Sequence, residues 1–222
     1  MIDWQAIVLT ARLAACTALL LLALGLPIAY WLATTRWPGR IFVEAIVAVP
    51  LVLPPTVIGF YVLVALGPRC FLGRWIEGLT GNFLPFSFAG LLVASVLYSL
   101  PFAVQPFTAA IRQVDWSLVD AAKTMGATWA QTLRKIVLPL ALPGITAGTV
   151  LCFAHTLGEF GVVLMVGGNI AGQTRTVSIA IYDQVQSLDY ASAALNSLVL
   201  LLASFAILTA TYFMQHRFFR VS

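Results

Sequence analysis

The sequence is short of charge. Asp, Glu, Lys and Arg make up 9% of its 222 residues, against 61% hydrophobic ones, where a soluble domain carries about 25% charged residues. A soluble fold of this size would have too few polar side chains to cover itself, so the chain reads as a polytopic membrane protein. Cysteine is scarce too. Cys16, Cys70 and Cys152 form an odd, scattered set, which argues against both a disulfide framework and a thiolate metal site. No lysine-bearing phosphate loop is present either. "GGNIAGQT", Gly167 to Thr174, has Gln173 where such a loop needs lysine, and an apolar run rather than a strand precedes it. The expectation is a chain with no catalytic residues, no metal and no cofactor of its own, which draws energy from a partner.

What the sequence has in abundance is long apolar runs. A membrane span needs roughly 20 mainly apolar residues, and five stretches free of Asp, Glu, Lys and Arg supply them: Leu13 to Thr35, Ala45 to Pro68, Gly78 to Ile111, Ile136 to Gly158 and Tyr190 to Gln215. The first lacks a basic leader and exceeds the apolar core of a signal peptide, so it is expected to be a retained span. Basic residues gather in one set of loops. Arg36, Arg40, Arg112, Lys123, Arg134, Lys135, Arg217 and Arg220 are eight of the twelve Lys and Arg. By the positive-inside rule these loops are cytoplasmic, with the N-terminus outside and the C-terminus inside. Topology and lipid contact account for the basic balance, and no nucleic-acid partner is expected.

Prolines interrupt the spans, most densely in "VPLVLPPTVIGF" (Val49 to Phe60), with Pro50, Pro54, Pro55 and Thr56. An interior proline removes a backbone hydrogen bond and kinks a helix. The segment is either a kinked packing helix or a hinge lining a path. Glu159 is the one acidic residue between Ile136 and Thr174. A span starting near Pro139 would lift it about 30 Å, to the outer boundary, with His155 one turn below to pair with it. It is an interfacial cap or loop anchor, or else part of a gate with His155 and Thr156. Arg175 follows a glycine-rich loop and is expected outside, as a solvated charge, a docking point for an acidic partner or a weak oxyanion contact.

Between the third and fourth runs lies a more polar stretch, "VDAAKTMGATWAQTLRKIVLPLALPG" (Val119 to Gly144). Ser117 and Asp120 have capping-box spacing, which predicts a short helix ended by Gly126. A second short helix follows over Thr128 to Lys135, with Pro139 in the first turn of the next span. Two adjacent alanines on an exposed helix allow close approach of another protein. The spacing D-A-A-x3-G-x9-I-x-L-P, made by Asp120, Ala121, Ala122, Gly126, Ile136, Leu138 and Pro139, resembles the EAA loop (E-A-A-x3-G-x9-I-x-L-P) of permease subunits in binding-protein-dependent ABC importers. The resemblance implies that Val119 to Trp129 is a coupling helix docked in the groove of a separate ATP-binding subunit, with Lys123 and Met125 in the same contact.

Three further stretches, "DWQAIVLTARLAACTALLLLALGLPIAYWLA", "PLVLPPTVIGFYVLVALG" and "AHTLGEFGVVLMVGGNIAGQTRTVSIAIYDQVQ", look like the permeases of molybdate importers. Sulfate and tungstate permeases share "LGEFG". What this implies is an all-α permease fold (MetI-like) with five transmembrane helices. Residues 1–222 would form one domain with a cytoplasmic coupling loop at about 113–137, in a bacterial inner membrane. It also implies two permease copies as a homodimer, two ATP-binding subunits and one oxyanion-binding protein, the last met by Asn169, Thr174 and Arg175. Sulfate, thiosulfate or tungstate import, and a secondary transporter, stand as the alternatives.

Overall fold

In the computed structural model, residues 1–218 are described, with side chains for residues 1–213; Arg217 and Arg220, counted above in the basic loops, lie outside the described side chains. The described chain is helical: α1 (Trp4–Thr34), α2 (Arg40–Val52), α3 (Pro55–Leu66), α4 (Phe71–Thr80), α5 (Phe88–Arg112), α6 (Trp116–Thr124), α7 (Trp129–Thr132), a π turn (Leu133–Val137), α8 (Leu138–Leu157), α9 (Gly161–Gly167), α10 (Val177–Gln186) and α11 (Tyr190–Phe218). Among the described residues, four helices or continuous helical stretches are long and apolar enough to cross a membrane, and the pair α2 and α3 makes a fifth crossing if its two halves count as one span.

The boundaries depart from the apolar runs in three places, each for a local reason. The first helix begins at Trp4 rather than Leu13, because Asp3 caps it by accepting from the Ala6 amide. Arg12 is thereby drawn into the helix and lies over the Phe88 ring, 4.7 Å from its centroid. The second run is no single rod: α2 and α3 meet at a 113° bend, since Pro54 and Pro55 carry no amide hydrogen to continue the ladder. The third span starts at Phe88, not Gly78. Gly81, in the left-handed region at φ 73°, ends α4, and Ser87 starts α5 by accepting from the Gly90 amide.

Lipid offers no hydrophobic drive between helices, so packing depends on close approach through small residues. The central core joins α1, α5 and α8 around Phe107, which is fully buried. Gly144 and Gly148 form a G-x-x-x-G face on α8. A Cβ on Gly148 would sit 2.8 Å from the Phe107 ring, and one on Gly144 would collide with Ala110. Gly25 on α1 faces Val104 and Phe107 from the other side.

The two ends of the bundle differ. At one, the Met1 amino group donates to Ser192 Oγ, the Asp3 amide donates to Asn196 Oδ1 at 3.0 Å, and Gly172 lies beside Gln5. At the other, Arg112 pairs with Glu44 at 2.5 Å and donates to the Leu32 carbonyl, close to where α6 and α7 project. Spans of alternating direction put the amino terminus and the α6–α7 module at opposite ends.

Candidate functional site

The α6–α7 module is built from three caps in succession. Asp115, not Ser117, begins α6: its carboxylate accepts from the Ser117 amide at 3.0 Å and from the Ser117 hydroxyl at 2.7 Å. These bonds hold the Asp115 carboxyl below its usual range. Asp115 is therefore the residue that reaches the free amides, and the predicted box of Ser117 and Asp120 is not formed. Asp120 instead meets Lys123 at 3.5 Å on the exposed face. At the far end Gly126 takes φ 87°, and the Gly126 and Ala127 amides donate back to the Lys123 and Ala122 carbonyls. This is a Schellman closure, at the glycine the sequence marked. Thr128 then starts α7 in a capping box with Gln131.

The implied coupling segment, Val119 to Trp129, thus begins a turn earlier, at Trp116, and ends in α7. Val119 is its inward anchor, 2% exposed. Asp120, Ala121, Lys123, Met125 and Gly126 are all exposed and Ala122 is half-buried, so the motif's polar half faces outward. Its other half holds on to the bundle. Ile136 and Leu138 pack against the central core, and Leu138 donates its amide to the Leu133 carbonyl in the π turn. Pro139, which has no amide of its own, follows directly. The second short helix therefore does not stop before the span; α7 runs through the π turn into α8 as one stretch, Trp129–Leu157. Trp129 ties this stretch to α1, donating Nε1–H to the Tyr30 hydroxyl at 3.0 Å with the rings edge to face.

A second cluster lies inside the bundle. Helix α8 breaks after Leu157, and α9 continues the course for seven residues. Glu159 sits in that break, 4% exposed. The Ser95 hydroxyl faces it, but neither carboxylate oxygen meets hydrogen-bond geometry with any group, and neither does Ser95 Oγ. Ser95 is seven residues into α5, about 10 Å along its axis. Glu159 is therefore enclosed by the bundle, level with Ser95, rather than exposed as a cap. Nor does His155 pair with it. The His155 Nδ1 meets Ser99 Oγ at 3.0 Å, and its ring stacks on Phe102 at 3.8 Å. Ser99 also meets Thr156 Oγ1 at 3.1 Å, and Thr156 donates to the Cys152 carbonyl.

The proline break joins this cluster from the side. A Cβ on Gly161 would lie 2.9 Å from Pro55 and within reach of Thr56, so α3 is seated directly on the α8–α9 junction. Pro54 caps α3 and Pro55 is in its first turn. Pro50 lies inside α2, across the bend. The structure thus gathers Pro55, Thr56, His155, Thr156 and Glu159. It adds Ser95, Ser99 and Phe102, which the sequence reading missed. Their signal was a polar i, i+4 pair, Ser95 and Ser99, in the more apolar first half of α5.

The loop after α9 is tied up internally. Thr174 is buried, bonding the Gly167 carbonyl and the Ile170 amide, so it offers nothing to another protein, contrary to expectation. Arg175 donates to Asn169 Oδ1 at 2.5 Å and lies 3.7 Å from the Asp183 carboxylate. It is a brace for the loop rather than a free charge. Among the described residues no group of three or more His, Cys, Asp or Glu side chains could hold a metal ion.

The chain as a whole is similar to known proteins. Residues 24–220 match the family described as "Binding-protein-dependent transport system inner membrane component". The chain is 49% identical over 210 residues to the molybdenum transport system permease protein ModB of Azotobacter vinelandii, covering 95% of this chain and 93% of that one. It is 34% identical to the sulfate transport system permease protein CysT of Escherichia coli, covering 88% and 70%. Among solved structures, a chain of a bacterial alginate ABC transporter, in complex with an alginate pentasaccharide-bound periplasmic protein, superposes with a TM-score of 0.79 at 19% identity. That match covers 98% of this chain and 80% of the other, and shows a shared fold. The chain belongs to the family of inner-membrane components of binding-protein-dependent transport systems, and it is a transport subunit rather than an enzyme.

Proposed function

We propose that two copies of this chain line the path of an ATP-driven importer for a tetrahedral oxyanion, molybdate, handed over by a binding protein outside. The observation that carries this reading is the 49% identity, sustained over 95% of the chain, to a molybdenum permease. The N-terminal end faces outward and the α6–α7 end faces two ATP-binding subunits, in keeping with the basic loops.

The module's build suits the task. A helix fixed by Val119 and closed by Gly126 presents Asp120, Ala121, Lys123 and Met125 to a partner. Nucleotide-driven closure of the ATP-binding subunits then moves a stretch continuous with α8, and the bundle alternates as rigid bodies. Inside, Pro54, Pro55 and Thr56 against the Glu159 break form the gate region. The cluster holds no Lys or Arg, so the path carries the dianion without a charged cage, and selectivity resides in the binding protein. Asn169, exposed on the braced loop, is on the side that receives it.

The test is ATP hydrolysis by the reconstituted complex, with binding proteins loaded with molybdate or with sulfate. Molybdate-loaded protein should stimulate turnover several-fold over sulfate-loaded protein. The reverse order would make this a sulfate permease, and uptake driven by an ion gradient without the ATP-binding subunit would overturn the mechanism.

A further inference from the structure

Helix α4, ten residues between α3 and α5, has three distinct flanks. The inner one carries Gly73, where a Cβ would collide with the carbonyl oxygens of Leu66 and Gly67, and Ile76, which packs on the small core around Val62 and Leu66. The second carries Phe71, Leu72, Trp75 and Leu79, spaced on one stripe and exposed at 77, 43, 56 and 68%. The third carries Arg74, Glu77 and Gly78, with Arg69 just ahead of the helix, so two arginines face one carboxylate. Among the described residues neither arginine has an ion pair.

The helix is therefore clamped sideways onto the bundle, with one oily flank and one basic flank both uncovered. It lies where α3 ends and α5 begins, at the end that holds the amino terminus. That is the level where a bilayer passes from acyl chains to headgroups. On neighbouring α3, Phe60, Tyr61 and Val64 are exposed as well.

The geometry points to α4 as an interfacial anchor: Phe71, Trp75 and Leu79 enter the acyl boundary, and Arg69 and Arg74 bind the phosphate of an anionic phospholipid. Aromatic rings favour this depth, and a basic amphipathic helix binds more strongly to anionic lipid. The two arginines outnumber the Glu77 carboxylate and form no ion pair with it, which favours a phosphate-bearing surface over an apolar protein partner. This inference depends only on the chain crossing a membrane, not on what it transports.

The experiment uses the full chain in proteoliposomes of phosphatidylethanolamine and phosphatidylglycerol, with bromine placed near the headgroup or near the chain end of the phosphatidylglycerol. The six tryptophans require a difference measurement against Trp75→Phe. The unaltered chain should lose more fluorescence to shallow bromine than Trp75→Phe does, and that excess should shrink with deep bromine. Moving the shallow bromine from phosphatidylglycerol to phosphatidylethanolamine should reduce the excess about twofold, and replacing Arg69 and Arg74 by Gln should abolish that preference. Equal quenching of the chain and Trp75→Phe in every vesicle would mean that a second copy or another protein covers the stripe, and would overturn the anchor. A lipid preference unchanged in the double Gln variant would overturn the phosphate contact.

Discussion

Gly126 stands at φ 87° with no atom within 4 Å of where a Cβ would be. Its constraint is therefore backbone conformation alone. Gly126→Ala should cost about 1 kcal/mol, read as a lower thermal midpoint in detergent. Gly78, in regular helix with equally open surroundings, should gain slightly on the same change. The buried hydroxyls of α5 offer a sharper contrast. Ser99→Ala removes the partner of His155 Nδ1 and should destabilise by about 1–3 kcal/mol. Ser95→Ala removes a hydroxyl that has no partner and should be neutral or better; a loss as large as that of Ser99→Ala would reveal a bond that Ser95 makes to Glu159. Asp115 carries a pH signature. Its folded carboxyl is held below the ordinary range, so its contribution is complete above the unfolded value near pH 4 and is lost as pH falls through the lower folded one. Amide exchange at Ser117, corrected for intrinsic rates, should accelerate there in the unaltered chain and show no such step in Asp115→Asn. At this scale the sequence was legible where conformation is dictated by one residue, as at Gly126. It misled where two residues compete for one role: Asp115 and Ser117 could both cap α6, and the carboxylate, able to accept two bonds at once, takes it.

Among the elements, the spans were readable because lipid demands long apolar runs, and the module because its caps are local. The breaks were harder. Apolar composition is the same on both sides of the α2–α3 bend and of the α8–α9 junction, so hydropathy alone runs straight through them. A helix-rise estimate placed Glu159 at the outer boundary, but gave no sign that it would be buried in a break between two helices. Nor could composition find the close pair of α5 and α8, which depends on Gly148 meeting a ring from another helix. Gly148→Val should overpack that contact, at a cost of about 1–3 kcal/mol, and a thermal midpoint unchanged from the parent would contradict it. Phe107→Leu in the same chain should recover part of the loss, since it withdraws the ring atoms that the new side chain strikes.

For the molecule as a whole, one end is clasped and the other projects. The amino terminus, α10 and the start of α11 are bonded together through Ser192, Asn196 and Gln184, whereas α6 leaves Met125 88% exposed. A crosslinker on Met125→Cys, in a background where Cys16, Cys70 and Cys152 are replaced, should capture an ATP-binding subunit in the assembled transporter. Its yield should change with nucleotide. Capture of the binding protein instead would invert the proposed orientation.

The π turn at Leu133–Val137 has a consequence for that projecting end. A π turn holds one residue more than the α-helix it interrupts, and each residue turns an α-helix by about 100°. The wider turn absorbs that extra residue, so excising one there would leave plain helix with the alanine pair still turned toward its partner. The same excision in the regular helix of α8 would swivel everything ahead of it by roughly that angle.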